Sequence, residues 1–268
     1  MKRKLKEISP PPPPPPLSPS NSPLAIDTIH RRLLPVQPPP FVTHNVPPQK
    51  PQQSTSVIPS SQRIFTLMTY NILAQCLIKR DLFPYCTKAV LKLKTRVSKI
   101  IREILVTHQP DIACLQEVDN YKEIYEPQFK KFGYDSVYHK KNETSLNGHG
   151  LCIIWKKNMF EKQLYKPIHF DQSHLTHPTN ISPITNNVAQ LIALQFKEDS
   201  SSSSSSPPSP SPCSSSSPLG VILTNHHLYW RPSAQFVKLR QCLVLLEELK
   251  EFSMELKKSW PTFICGGM

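Results

Sequence analysis

Residues 110–119 read PDIACLQEVD, and this stretch decides the fold class. A helix that reaches Pro110 has to end there, because proline lacks the N–H that a helix needs. The apolar run from Ile112 that follows is short, continuous and typical of a strand that is buried on both faces. Glu117 comes near the end of that run. The stretch therefore predicts a buried strand in a sheet that helices cover.

The rest of the chain from about residue 63 repeats this alternation of helix and strand. Before Pro110, apolar residues at i, i+3, i+4, i+7 and i+8 predict an amphipathic helix; they are Val97, Ile100, Ile101, Ile104 and Leu105. Strands are predicted in 64–70, 134–139, 150–155, 188–196, 219–228 and 263–265, and a short helix in 121–129. A longer helix has one apolar face, formed by Leu239, Cys242, Leu243, Leu246 and Leu249. The order predicts one layered α/β domain over 63–268.

Two stretches have a composition that does not favour a packed core. Residues 1–62 hold 17 of the 30 prolines and should form a disordered Pro-rich tail. Such a tail is a linker or a ligand for a proline-binding domain. Residues 198–218 form a Ser/Pro-rich insert, which we expect to be a disordered loop within the domain.

Charge and cysteine usage bound the function class. The formal net charge of +13 favours an anionic partner such as nucleic acid, phospholipid or a phosphorylated substrate, although solubility is an alternative reason for it. The seven cysteines include no CxxC pair, which argues against a zinc site. Apolar surroundings of several cysteines indicate a reducing compartment, cytoplasmic or nuclear. No apolar run is long enough to cross a membrane.

Three predicted strands end on polar residues: Asn71, Glu117 and His227. Strand ends of a layered α/β fold converge at one edge and build the active site there. A carboxylate in that position suits Mg²⁺, and an amide and an imidazole beside it suit a phosphate group. The ordinary alternatives are a turn residue for Asn71, a helix-start charge for Glu117 and a structural histidine for His227.

Five segments, in chain order, give the sequence a family resemblance; they are TYNILAQ, PDIACLQEVD, GHGLCIIWKK, NNVAQLIALQF and TNHHLYWRP. They resemble the successive motifs of the endonuclease/exonuclease/phosphatase superfamily. Within it they are most similar to the deadenylase-related branch that includes nocturnin, Angel and the fungal Ngl-type RNA exonucleases. The resemblance covers residues 63–268 apart from the insert and implies the α/β sandwich of that superfamily.

The resemblance also implies roles for residues at matching positions. Glu117 would be the ligand of Mg²⁺, or of Mn²⁺ as an alternative, and Asn71 would complete the metal and phosphate site. His227 would contact the scissile phosphate. Asn187 would lie near the substrate and His149 on a loop over the site. The implied function is metal-dependent 3′–5′ hydrolysis of RNA.

The resemblance suggests further contacts with RNA. Tyr229 and Trp230 are expected either to stack on a base or to belong to the core. Four lysines are expected to form a basic rim for the RNA backbone, or simply a solvated surface; they are Lys140, Lys141, Lys156 and Lys157.

The last residues, ICGGM, stop where the family continues into Gly-Asp-Phe-Asn and, further on, an Asp-His pair. We therefore expect a domain that is incomplete at the C-terminus and an inactive chain, through real truncation or a gene-model artefact. Two alternatives stay open: a non-catalytic RNA-binding or regulatory fragment, and another phosphodiesterase or phosphatase of the superfamily. The sequence leaves the RNA substrate, the compartment and the oligomeric state open.

Overall fold

The computed structural model describes residues 63–142, 148–173, 184–198 and 218–267. The expectations for the tail 1–62 and for most of the insert 198–218 lie outside these residues. Within the described part, eight strands form two four-stranded sheets. The strands are β1 (Leu67–Asn71), β2 (Ile112–Val118), β3 (Tyr134–Lys140), β4 (Gly150–Lys156), β5 (Phe160–His169), β6 (Val188–Phe196), β7 (Gly220–His227) and β8 (Thr262–Gly267).

The strand order places two parallel pairs in the two sheets. Sheet A has the order β1-β2-β4-β3 and sheet B the order β5-β6-β7-β8. β1 runs parallel to β2 and β7 runs parallel to β8, while the other neighbours are antiparallel. Parallel neighbours end at the same edge of a sheet. The carboxyl ends of β1 and β2 therefore lie side by side, as do those of β7 and β8.

Three helices complete the layers: α1 (Leu93–Arg102), α2 (Glu126–Lys131) and α3 (Gln235–Leu256). Wider helical turns at Glu103–His108 and Tyr121–Tyr125 adjoin α1 and α2. Shorter 3-10 turns occupy Gln75–Leu77, Arg80–Leu82 and Phe170–Gln172.

The alternation of side chains along β2 explains the layering. Every residue of β2 is buried, as its sequence predicts. Ala113 and Leu115 pack against α1 and α2, whereas Ile112 and Cys114 face sheet B. The outer face of sheet B packs against α3 through residues such as Leu245. The result is a helix–sheet–sheet–helix sandwich, which confirms the predicted α/β class.

Two elements differ from the sequence prediction. β5 was not predicted, because its sequence, FEKQLYKPIH, mixes charged and apolar residues without a clear period. It lies at the edge of sheet B, where Pro167 is tolerated. On α3 the predicted face was wrong for Leu239, Leu243 and Leu246, which are more than half exposed, whereas Cys242 and Leu249 pack against the core as predicted. The buried residues of α3 are Val237, Gln241, Val244, Leu245 and Phe252.

None of the helices described for this chain is both long enough and apolar enough to span a bilayer.

Candidate active site

Glu117 lies at a bulge that ends the central strand of sheet A. Gln116 pairs with Leu151 and Val118 with Gly150 on β4, so Glu117 is an extra residue without a partner. Its φ of 56° lies in the left-handed region, which costs a non-glycine residue about 1–2 kcal/mol. Bulges redirect side chains, and strained backbone of this kind is concentrated at functional sites. The side chain of Glu117 is only 11% exposed.

Asn71 and the loop after β1 hold the Glu117 carboxylate in place. The amide of Asn71 donates from Nδ2 to Oε1 of Glu117 over 2.9 Å. The backbone N–H of Ala74 donates to the other oxygen, Oε2, over 3.2 Å. The side-chain oxygen of Asn71 accepts the N–H of Leu73, which shapes the loop. Each carboxylate oxygen thus has one donor and keeps lone-pair capacity on its open side.

His227 reaches the same carboxylate from sheet B. Its Nε2 lies 3.8 Å from Oε1 of Glu117. Burial lowers the pKa of His227, and the nearby Lys141 lowers it further, while Glu117 acts in the opposite direction. The lowered pKa favours the neutral imidazole, which presents one N–H donor and one acceptor nitrogen. The structure brings together the three strand-end residues that the sequence singled out.

Asn187 and His149 surround His227. Asn187 is 2% exposed and donates from Nδ2 to the backbone oxygen of His227 over 2.8 Å. Asn187 thereby positions the end of β7. His149 lines a narrow crevice with Lys141 and His227. Burial lowers the pKa of His149, with a further lowering from Lys141.

The four lysines of the predicted rim do not lie together. Lys140 pairs with Gly150 at the end of β3 that is next to the bulge, and Lys141 lines the crevice. Lys156 instead forms an ion pair with Asp111 over 2.8 Å. Asp111 precedes β2, whereas Glu117 is near its end, so Lys156 and the adjoining Lys157 lie toward the opposite edge of sheet A. The prediction of a rim was wrong for Lys156 and Lys157.

The two aromatic residues after β7 lie in different surroundings. Trp230 is 65% exposed, so the core alternative is wrong for it. The guanidinium of Arg231 lies 5.6 Å from the centre of the Trp230 ring. The backbone N–H of Tyr229 donates to Oε1 of the buried Gln241 on α3, which ties this loop to the helix.

Sequence reasoning missed Asp119 and the cavity beside it. Asp119 is 5% exposed and accepts the backbone N–H of Cys76 on Oδ2 over 3.2 Å. It lines an open cavity of about 860 Å³ together with Gln75, Cys76 and Lys140. The signal in the sequence was a second carboxylate two residues after Glu117, which a reading of the strand end alone passes over.

The donor set fits a magnesium ion that is bound through few protein ligands. Among the residues that the structure describes, no group of three or more His, Cys, Asp or Glu could cage a metal. Mg²⁺ keeps several waters and commonly binds through one or two carboxylates plus substrate phosphates. Glu117 offers such a carboxylate, oriented by Asn71 and Ala74.

Comparison with known proteins places this geometry in a family. Residues 68–266 match the model of the Endonuclease/Exonuclease/phosphatase family. The chain is 31% identical over 214 residues to RNA exonuclease NGL2 of Saccharomyces cerevisiae, covering 75% of this chain and 39% of that protein.

Two solved structures share the fold over the same part of the chain. ANGEL2, described as a 2′,3′-cyclic phosphatase, superimposes with a TM-score of 0.59 at 27% identity, covering 75% of this chain and 52% of that one. The human Nocturnin catalytic domain gives a TM-score of 0.56 at 25% identity, covering 75% and 62%. The chain thus spans between 39% and 62% of the length of these proteins.

Proposed function

This chain belongs to the endonuclease/exonuclease/phosphatase family, and from that premise we propose that it is an RNA-processing hydrolase that cleaves phosphodiester bonds with a divalent metal. The observation that carries the proposal is the meeting of Glu117 from sheet A with His227 from sheet B, at a strained bulge. The RNA exonuclease among its relatives supports RNA as the substrate. We further propose Mg²⁺ as the metal and removal of nucleotides from the 3′ end.

The residues of this chain have separate roles in the proposed reaction. Glu117 would hold the metal, and Asn71 and the Ala74 N–H keep its carboxylate oriented. Bound there, the ion would polarise the phosphate and neutralise developing negative charge. The neutral His227 donates its N–H to a phosphate oxygen. Lys141 adds a positive charge within the same crevice, where low solvent access strengthens its effect.

A 5′-labelled single-stranded RNA tests the proposal. The proposed hydrolase shortens the RNA stepwise in Mg²⁺ or Mn²⁺ and not in EDTA, whereas the inactive chain expected from the sequence leaves the RNA intact. Glu117→Gln should lower that rate by about a hundredfold or more, the usual cost of losing a charge-stabilising group in a site. The control is Glu161→Gln, an exposed carboxylate on β5 that should leave the rate unchanged. Equal rates for Glu117→Gln and wild type would refute the metal-ligand role.

Because the sequence predicts an inactive chain of 268 residues, metal binding provides a second readout. A metal that binds only the folded state raises the melting temperature. Mg²⁺ should stabilise the wild type and the Glu161→Gln control, and not Glu117→Gln. Stabilisation of all three to the same extent would place the metal elsewhere.

One alternative has specific support. The likeness to ANGEL2 favours a terminal 2′,3′-cyclic phosphate as the reacting group. Faster reaction of RNA ending in that group than of RNA ending in a 3′-hydroxyl would select it. Binding of RNA without metal-dependent turnover would instead select a non-catalytic RNA-binding protein.

A further inference from the structure

Positive charge is concentrated in the segment from Lys79 to Arg102. It holds eight of the 32 lysines and arginines of the chain against one carboxylate, Asp81. Residues 235–258, a stretch of the same length around α3, hold five cations and four carboxylates. The basic excess is therefore local and does not merely reflect overall composition.

Most of these cations face solvent. Arg96 is half-buried, and the others are exposed. We call these exposed residues the basic segment: Lys79, Arg80, Lys88, Lys92, Lys94, Lys99 and Arg102. Tyr85 stands among them with 81% of its surface exposed. Exposed cations interleaved with an aromatic ring are typical of surfaces that bind single-stranded nucleic acid.

Helix stability accounts for only part of this charge, because Lys99 and Arg102 lie in the last turn of α1, where the helix dipole favours cations. Lys92 instead occupies the N-cap position of α1 without a side-chain hydrogen bond, and Lys94 lies in the first turn, which contains no acidic residue. The helix dipole makes that end positive, so cations there are unfavourable and carboxylates favourable. A bound anion would offset this repulsion.

Four hydrogen bonds connect the chain around the basic segment to the active-site loop, and one of them runs from Nη2 of Arg96 to the backbone oxygen of Leu73 over 2.5 Å. Arg96 on α1 donates from Nη2 to the backbone oxygen of Ile72 over 2.7 Å and from Nη1 to Oε1 of Gln75 over 3.2 Å. Gln75 donates from Nε2 to the backbone oxygen of Leu91 over 3.1 Å. The same loop delivers the Ala74 N–H to Glu117. The basic segment and the carboxylate are thus held in a fixed relation.

The open cavity of about 860 Å³ adjoins this loop. Its lining includes Gln75 and Cys76 from the loop, together with Asp119, Lys122 and Glu123. Ligand sites commonly have volumes of about 300–1,000 Å³, so a nucleotide fits here. Along the chain, the lining residues Gln75 and Cys76 come directly after Ala74, which contacts Glu117, and shortly before Lys79, where the basic segment begins.

We propose that the basic segment binds the sugar–phosphate backbone of the single-stranded RNA that leads away from the scissile end, with the intervening nucleotide in the cavity and a base stacked on Tyr85. This inference rests on the proposed function, because it takes RNA as the substrate. It adds the path of the strand beyond the reacting phosphate.

RNA binding measured by fluorescence anisotropy over a series of salt concentrations tests the path. The variant is Lys92→Gln/Lys94→Gln/Lys99→Gln, and the matched control is Lys162→Gln/Lys250→Gln/Lys257→Gln, three exposed lysines on β5 and at the end of α3. For an RNA of about 24 nucleotides, we expect the slope of log K against log salt to fall by about 2, at about 0.7 per lost phosphate contact. The affinity at low salt should fall at least tenfold. The control and an RNA of about 4 nucleotides should change less than about threefold.

A second variant tests whether the loss of binding reflects only the reduced net charge. Tyr85→Ala keeps every charge and should weaken binding of the long RNA at least about fivefold, since one stacked base contributes that much. Melting temperatures of all variants should match that of the wild type.

The outcomes separate this inference from the proposed function. If the basic-segment variant and the control bind the long RNA equally while both hydrolyse the short RNA, the path is wrong and the function stands. If the wild type hydrolyses nothing and Mg²⁺ stabilises wild type and Glu117→Gln equally, but the affinity for long RNA depends on the basic segment, the path stands and the hydrolase is refuted. Tighter binding to phosphatidylserine vesicles than to RNA, lost in the same variant, would overturn the path in favour of a membrane surface.

Discussion

At the scale of single residues, the backbone conformation of Glu117 leads to a prediction about stability. Its φ of 56° suits glycine and not alanine. Glu117→Gly should therefore be more stable than Glu117→Ala by about 1 kcal/mol, although both lose the same carboxylate. Urea denaturation measures the difference. The same pair at Glu161, in the extended strand β5, should have the opposite sign. Equal stabilities at position 117 would show that the bulge relaxes.

The buried histidines predict how stability depends on pH. Burial lowers the pKa of His149, His226 and His227 below the ordinary value of 6.5. Between the lowered and the ordinary pKa, the unfolded chain binds more protons than the folded one, so acid favours unfolding. The melting temperature should fall as pH drops from about 7.5 to about 5.5. His226→Gln should flatten part of that fall, and a melting temperature that rises toward pH 5.5 would contradict the prediction.

The sequence predicted the convergence of Asn71, Glu117 and His227, because strand ends meet at an edge whatever the details of packing. It could not predict the bulge, since a single residue without a partner leaves no period in the pattern. It also misplaced Lys156, whose ion pair with Asp111 joins residues that are 45 positions apart.

At the scale of elements, α3 separates two leucines that look alike in the sequence. Leu245 is 3% exposed and packs on sheet B, whereas Leu243 is 53% exposed. Leu245→Ala should lower the free energy of unfolding by about 2–5 kcal/mol, and Leu243→Ala by no more than about 0.5 kcal/mol. Urea denaturation of the two variants is the measurement. A larger loss for Leu243→Ala would mean that its exposed face is covered in solution.

The same helix shows why the choice of face failed. Both faces of α3 carry apolar residues at helical spacing, so periodicity alone does not decide between them. Gln241 obscures the buried face in the sequence, because this polar residue is fully buried. It forms hydrogen bonds with Tyr229 and Thr185. Only the position of sheet B resolves the ambiguity.

At the scale of the whole molecule, three buried amides join the two sheets. Gln116 donates to Oδ1 of Asn225, and Asn225 donates to Oε1 of Gln190 and to the backbone oxygen of Leu115. These amides are at most 1% exposed. They lie between the sheets, next to Glu117 and close to His227 in the chain, and so fix the register in which the two halves of the site meet.

Removing the central amide should therefore be costly. Asn225→Ala leaves buried partners unsatisfied, each at about 1–3 kcal/mol, so the free energy of unfolding should fall by at least about 3 kcal/mol. The control is Gln163→Ala, an exposed amide on β5, which should change stability by no more than about 0.5 kcal/mol. A small loss for Asn225→Ala would mean that the sheets stay in register without the network.

The division of the site between two sheets also affects the order in which parts of the protein fold. Asn225 and Leu115, which bring the halves together, are 110 residues apart in the chain. Contacts of such separation form slowly, because a long loop has to close first. Local helices and hairpins of each sheet are free to appear earlier. During refolding, the burial of Trp155, which packs between the sheets, should coincide with recovery of the site, and both should lag behind the return of secondary structure. The carboxylate and the imidazole thus come together only when folding is nearly complete. Formation of the site therefore reports the last step of folding.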